Sequence, residues 1–382
     1  MTRKLKMGMI GGGIGSFIGD VHRKASSIDG MIELVCGAFS SSPEKSKQSG
    51  KALFLPEERC YNNFKEMIDE EKILPEGIRM DFVAIVTPNH MHFSPAKYAL
   101  ENGFHVVCDK PMTLTLDEAL ELEKIVEKTG KLFALTHNYT GHPMVKQAKV
   151  MIANGELGQI RKIQVQYLQG WLSTAVEKTG QKQASWRTDP KQSGIGGALG
   201  DIGTHAENLV EYITGLKITE IAADLGVFGA DRVLDDDGNL LLRMENGAKG
   251  TMSISQIALG EENNLAIKVY GEKASIEWHQ EEPNKLITHW LEKPVKVFTP
   301  NGNDLYPEAL NVSRIPAGHP EGYLEAFATI YKNFATHLMA VLSSENLENP
   351  DYPNVKDGVR GMQFIYAAVK SNKNNANWTT FN

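Results

Sequence analysis

The chain has 382 residues, of which 41% are hydrophobic and 23% charged, and its formal net charge is -7. That length exceeds one ordinary domain, and the composition lacks the bias of disordered, fibrous or membrane-spanning chains. An acidic balance gains little from counterion release on nucleic acid, and no apolar run is long enough to cross a bilayer, so neither partner is expected.

Residues 5–10 (LKMGMI) predict a short buried strand. The turn GGGIGSFIG follows at 11–19, and a helix is expected over 16–27. Glycine here permits a tight turn and lets a phosphate approach the amides at a helix N-terminus. Gly11, Gly13, Ile14, Gly15, Ser16, Phe17 and Ile18 are therefore candidate cofactor contacts, with Ser16 where the dinucleotide fingerprint has its third glycine. A second strand over 33–39 runs into AFSSSPEKSK. An enzyme strict for NAD often has Asp or Glu there to hold the ribose 2′-hydroxyl. Ser40, Ser41 and Ser42 occupy the place instead, and Lys45 and Lys47 could meet a 2′-phosphate, so NAD and NADP both stay open.

Strands over 81–86, 104–108 and 132–136 alternate with helices over 64–71, 95–102 and 116–128. Thr115, Asp117 and Glu118 suit the start of the last helix, and Gly130 suits its end. Such alternation predicts a parallel sheet covered on both faces, with ligands at the carboxyl ends of its strands. The loop TPNHMH at 87–92 lies at that edge, so Thr87, Pro88, Asn89 and His92 join the cofactor candidates. His90 and His92 have no third ligand nearby, and no metal is expected. In HVVCDKPMTL at 105–114, an apolar run stops at Asp109-Lys110-Pro111. Lys110 either reaches solvent or stands where this architecture puts its chemistry. Asn138, just past the fifth strand, completes the candidate set.

The pattern changes after residue 138, so residues 1–138 and 139–382 are read as two domains. Strands are expected over 160–168, 218–228, 239–245, 249–257 and 264–270, with Asn246-Gly247 turning a hairpin. Period-two alternation in IQVQY and TMSISQI implies a mostly antiparallel sheet with one covered face. The expected fold is a Rossmann dinucleotide-binding domain followed by an α+β domain built on a large open sheet. A homo-dimer or homo-tetramer would cover the open face. Residues 193–215 fit a helix on which Asp201 and His205, four apart, share one side. They are either an acid–base pair or a cap and a packed histidine. The cysteines, Cys36, Cys60 and Cys108, are odd in number and widely spaced, which suits free thiols in a cytoplasmic protein.

Taken together, GGGIGS at 11–16, TPNHMH at 87–92, DKP at 109–111, WRTDP at 186–190 and DIGTH at 201–205 resemble the Gfo/Idh/MocA oxidoreductase family. Asp109 replaces the family's usual Glu. A longer segment from the glycine turn to His22-Arg23, with ALTHNYTGHPM and IPAGHPEGYLEAF, resembles a subgroup containing levoglucosan dehydrogenase, and this tilts the cofactor toward NAD. The resemblance implies hydride transfer between NAD(P) and a hydroxyl or keto group of a cyclic sugar or polyol. It implies Lys110, Asp201 and His205 as catalytic residues. Tyr139, Trp186, Arg187 and His319 lie in or beside polar segments near these motifs and are further candidate substrate contacts, with an ordinary structural role as the alternative for each. Two other readings share the fold: a cofactor-binding sensor without turnover, and a glycosidase that uses bound NAD for transient oxidation.

Overall fold

The computed structural model describes residues 3–347 and 349–381. The chain runs β1 (Leu5–Gly11), α1 (Phe17–Ile28), β2 (Ile32–Ala38), α2 (Pro43–Ala52), α3 (Phe64–Ile73), β3 (Phe82–Val86), α4 (Phe93–Glu101), β4 (His105–Cys108), α5 (Leu116–Thr129) and β5 (Phe133–Leu135). It continues through α6 (Pro143–Ala153), β6 (Ile160–Leu168), α7 (Lys182–Arg187), α8 (Pro190–Ser193), α9 (Thr204–Thr214), β7 (Ile218–Gly226), β8 (Asp237–Met244), β9 (Lys249–Ser255) and β10 (Asn264–Gly271). It closes with β11 (Ala274–His279), β12 (Leu286–Trp290), β13 (Lys296–Phe298), α10 (Pro307–Leu310), α11 (Tyr323–Leu342), α12 (Val355–Lys373) and β14 (Thr379–Thr380).

Two compact units result, Met1–Asn138 with Phe327–Val359, and Tyr139–Ala326 with Arg360–Asn382. The first holds a five-stranded parallel sheet in the order β2-β1-β3-β4-β5. All five residues of β3 are buried, as expected of a strand covered on both faces. Helix α5 starts with a reciprocal capping box between Thr115 and Glu118, and Gly130 ends it in the left-handed region at φ +63°. The stretch Phe327–Val359, which the sequence pattern assigns to the C-terminal half, belongs with this unit. Phe334 meets the Phe82 ring edge-on at 5.1 Å, and Leu135 N donates to Pro353 O at 2.8 Å.

The second unit carries a nine-stranded sheet in the order β13-β12-β11-β10-β6-β9-β8-β7-β14. β6 and β9 pair in parallel, and their neighbours are antiparallel. Burial alternates along β8, with Leu240 and Leu242 inside and Leu241 52% exposed. Helices α6 and α9 cover the inner face. Residues 193–215 are less regular than their apolar spacing implies. α8 stops at Ser193, a π-helical turn spans Leu199–Gly203, and only then does α9 begin. Strands β11 to β13 and helices α2, α6, α11 and α12 go beyond the elements expected from sequence.

One contact fixes how α1 meets the glycine turn. A Cβ on Gly19 would lie 2.4 Å from Gly12 Cα and 2.5 Å from Gly12 O. Both are backbone atoms, so the helix would have to move. Gly19→Ala is expected to lower unfolding stability by about 1–3 kcal/mol, read by thermal or urea denaturation.

Candidate active site

The first unit gathers its candidate residues at the carboxyl edge of the sheet. Gly11, Gly12 and Gly15 hold φ values of +78°, +69° and +79°, a region that favours glycine. Gly13 N donates to Phe39 O at 3.2 Å, just past β2, and Ile14 N to Ser49 Oγ at 3.1 Å, in α2, tying the turn to both. A Cβ on Gly13 would press on Ser49 Oγ at 2.7 Å. Ser16 caps α1 through Gly19 N at 3.2 Å, while Ile14 and Phe17 point outward at 68% exposure each. The bare backbone and fresh helix start fit a dinucleotide pyrophosphate. Ser40 Oγ accepts from Ser42 N at 3.2 Å, Ser41 is exposed, and Lys45 is exposed in the first turn of α2.

The TPNHMH loop is pinned to the Asp-Lys-Pro segment by one ring. His92 is buried, with Nδ1 2.8 Å from Pro111 O and Nε2 2.8 Å from Thr87 O. Burial pulls its pKa below the ordinary value, and the Asp109 charge opposes that. Thr87 Oγ1 donates to Met91 O at 3.0 Å, and Asn89, within the loop, is buried. Asp109 Oδ1 accepts from Lys110 N at 2.8 Å and from Thr136 Oγ1 at 2.9 Å. Lys110 is half-buried two residues past Cys108, the last residue of β4. The strand it follows is buried, and Lys110 comes just after its carboxyl end. Asn138 is buried, and among the described residues its Nδ2 has no hydrogen-bond partner, so a donor remains for a ligand.

In the second unit the candidate residues meet where three strands end. β9 runs parallel to β6 and β10 runs antiparallel to it. Gln169 and Gln256, which follow β6 and β9, and Asn263, which precedes β10, therefore share one sheet edge. Asp201 projects from the π-helical turn. Its Oδ2 accepts from Arg187 Nε at 3.0 Å and from Gln256 Nε2 at 2.8 Å. Gln169 Oε1 accepts from Trp171 Nε1 at 3.0 Å, and Gln169 Nε2 donates to Asn263 Oδ1 at 2.7 Å. Tyr139, Tyr167 and Asn263 close a ring of hydrogen bonds at 2.5, 2.9 and 3.3 Å. Burial raises the pKa of both tyrosines, so the ring stays protonated. His205, buried in the first turn of α9, lies edge-on to Tyr139 with centroids 4.8 Å apart.

These contacts sort the substrate candidates. Asp201, His205, Tyr139 and Arg187 belong to one cluster, and Trp186 braces Arg187 at 4.3 Å. The Tyr139 hydroxyl is engaged by Tyr167 and Asn263, so Tyr139 contributes a wall beside His205. The Arg187 charge is matched by Asp201, and its Nη1 also donates to Gln183 Oε1. His319 is exposed in the 311–322 loop. Among the described residues its side chain has one hydrogen-bond contact, to Pro316 O at 3.1 Å. Tyr167, Gln169, Trp171, Gln256 and Asn263 escape sequence reasoning because neutral amides and aromatics have no diagnostic spacing. Strand register was the one signal that could have found them. Among the described residues no group of three or more His, Cys, Asp or Glu is placed to hold a metal, and no helix is long and apolar enough to cross a membrane.

The parallel sheet and its glycine turn define a dinucleotide-binding architecture. Residues 5–137 match the family model described as "Oxidoreductase family, NAD-binding Rossmann fold", and residues 145–277 match the GFO/IDH/MocA C-terminal domain. The chain belongs to the Gfo/Idh/MocA oxidoreductase family and is an NAD-binding oxidoreductase. It is 35% identical to the uncharacterised oxidoreductase YfiI of Bacillus subtilis (strain 168), over 100% of this chain and 98% of that one. It is 27% identical to levoglucosan dehydrogenase of Pseudarthrobacter phenanthrenivorans, over 74% and 76% of the two chains. Among solved structures, an inositol dehydrogenase homologue complexed with NAD+ from Azotobacter vinelandii superposes with TM-score 0.96 at 35% identity, covering 100% of this chain and 98% of that one.

Buried histidines make the fold acid-sensitive. Burial pushes His22 down to about 4, and pushes His105, His137 and His142 down to about 3, with the Lys110 charge adding to the effect on His137. Each folded value lies below the unfolded 6.5, so the unfolded chain binds more protons in between. Their contribution is full above pH 6.5 and is lost as pH falls toward 4 and then 3. His142→Phe removes one such group. Its stability is expected to fall less steeply than the wild type's below pH 6.5, by up to about 1.4 kcal/mol per pH unit, in denaturation series at stepped pH.

Proposed function

We propose that this chain is an NAD-dependent dehydrogenase that oxidises a hydroxyl of a cyclic polyol or sugar. One observation carries the reading. Lys110 stands at the carboxyl edge of the parallel sheet, the edge that also bears the glycine turn. A cation is thus available where a bound dinucleotide would lie. The relatives named for levoglucosan and inositol support the substrate class, and the homologue bound to NAD+ supports the cofactor.

Each residue has an assigned role. His205 is the general base that takes the hydroxyl proton, since an imidazole works near neutral pH. Asp201, steadied by Arg187 and Gln256, orients His205 or a neighbouring hydroxyl. Lys110 stabilises negative charge developing on the reacting oxygen, which is worth most where water is excluded. A bound nicotinamide supplies the hydride acceptor. Asp109 and Asn138 hold the cofactor's sugar and amide groups, and the turn from Gly11 to Ile18 holds its phosphates. Three buried free cysteines support a reducing, cytoplasmic setting.

The test is cofactor reduction measured with NAD and with NADP against levoglucosan, myo-inositol, scyllo-inositol, glucose and xylose. A rate on a ring alcohol is expected, slowed roughly 100-fold or more in Lys110→Ala and in His205→Ala. Near-normal turnover in either variant removes that residue from the mechanism. Cofactor binding with no turnover on any ring alcohol points to the sensor.

The open face of the nine-stranded sheet supports association of copies through it. It forms a shallow concavity of about 790 Å³ that includes Gln164, Leu241, Thr251 and Trp378. Light scattering is expected to give a multiple of the 42.2 kDa chain mass, shifted toward the monomer by Leu241→Lys. A monomeric wild type ends this assignment.

A further inference from the structure

Behind Asp109 lies a layer of buried polar groups that the proposed mechanism does not use. His22, in α1, is 0% exposed. Its Nδ1 lies 2.7 Å from the Tyr331 hydroxyl, and its ring meets Phe327 and Tyr331 edge-on at 4.7 and 5.8 Å. Its Nε2 is buried without a hydrogen-bond partner among the described residues and faces Asp109 Oδ2 at 4.0 Å. The other carboxylate oxygen is already committed to Lys110 N and Thr136 Oγ1.

Electrostatics selects the tautomer of such a row. A neutral imidazole has one N–H and one lone pair. With the proton on Nδ1, the Nε2 lone pair would confront a carboxylate inside a low-dielectric layer. With the proton on Nε2, its N–H points at Oδ2, and Tyr331 can donate its O–H to Nδ1. Only the second arrangement turns every dipole toward the negative charge. Burial pushes His22 down to about 4 and Tyr331 well above its usual value, so the row keeps these protons through neutral pH.

We propose that Tyr331 and His22 are positioning residues, a buried relay that keeps the Asp109 carboxylate aimed at a ribose hydroxyl of bound NAD. The proposal rests on the reading of Asp109 as a cofactor contact. Neither His22 nor Tyr331 meets the reacting atoms, and both act through the carboxylate. At 4.0 Å the final contact is longer than a hydrogen bond, and a shift of about 1 Å closes it.

Nitrogen NMR on histidine-labelled protein reads the tautomer directly. His22 is expected to carry its proton on Nε2, and a proton on Nδ1 overturns the relay from the wild type alone. Calorimetric titration of NAD then compares wild type, Tyr331→Phe, Asp109→Asn and the double variant. Tyr331→Phe is expected to weaken NAD roughly two- to ten-fold, the worth of one net hydrogen bond. In the Asp109→Asn background it is expected to cost nothing further. If Asp109→Asn binds NAD like the wild type, Asp109 itself is no cofactor contact and the relay falls with it. If Asp109→Asn weakens binding but Tyr331→Phe does not, or costs the same in both backgrounds, the relay alone is wrong.

Discussion

In a parallel sheet each crossover helix returns the chain to the starting edge, so all strands finish on the same side. Gly11 is level with Val86, Ile85 with Cys108, and Cys108 with Leu135. The residues just past those ends are the glycine turn, Thr87, Asp109 and Thr136. Segments up to 125 positions apart in the chain are thereby set side by side without any long-range side-chain contact having to hold them. The hydrogen bond from Thr136 to Asp109, and the 2.8 Å contacts of the His92 ring with the Thr87 and Pro111 carbonyls, refine a placement that the sheet has already made.

The second unit achieves a similar convergence by register. β6, β9 and β10 are neighbours, and their directions bring Gln169, Gln256 and Asn263 to one edge. These amides form a hydrogen-bonded chain from the Tyr139 ring to Asp201, whose charge is answered by Arg187. Several members are shared acceptors, so the network holds its polar groups through more than one partner each. Asp201 also departs from an ordinary α-helix, because it sits in a π-helical turn of the kind that recurs at functional sites.

Much of this was legible in the sequence, for definable reasons. The glycine turn, the capped helix from Thr115 to Gly130, and the hairpin at Asn246-Gly247 each depend on local rules that a short segment obeys by itself. The unread elements lack such signals. In α2 only Ser46, Ser49 and Gly50 are buried, so no apolar period marks it. In α6 every residue from Pro143 to Ala148 is buried, Lys146 included, so no polar face sets off the apolar one. β13 has three residues, too few to show alternation. The spacing of Asp201 and His205 marks them as candidates, but the π-helical turn beneath Asp201 carries no such mark, since apolar periodicity does not separate one loosened turn from an α-helix.

The first unit is discontinuous in the chain, and this limits how it could be moved as a module. Phe82 in the central strand packs on Phe334, the last strand is tied to Pro353, and a Cβ on Gly358 would collide with Met112. A gene fusion or recombination that carried residues 1–138 alone would take all five strands but leave behind the segment that covers Phe82 and pairs with Leu135. The nucleotide-binding unit is therefore inheritable only with a second piece from near the end of the chain, and exchange between relatives at the apparent boundary would graft a sheet with an unfinished core.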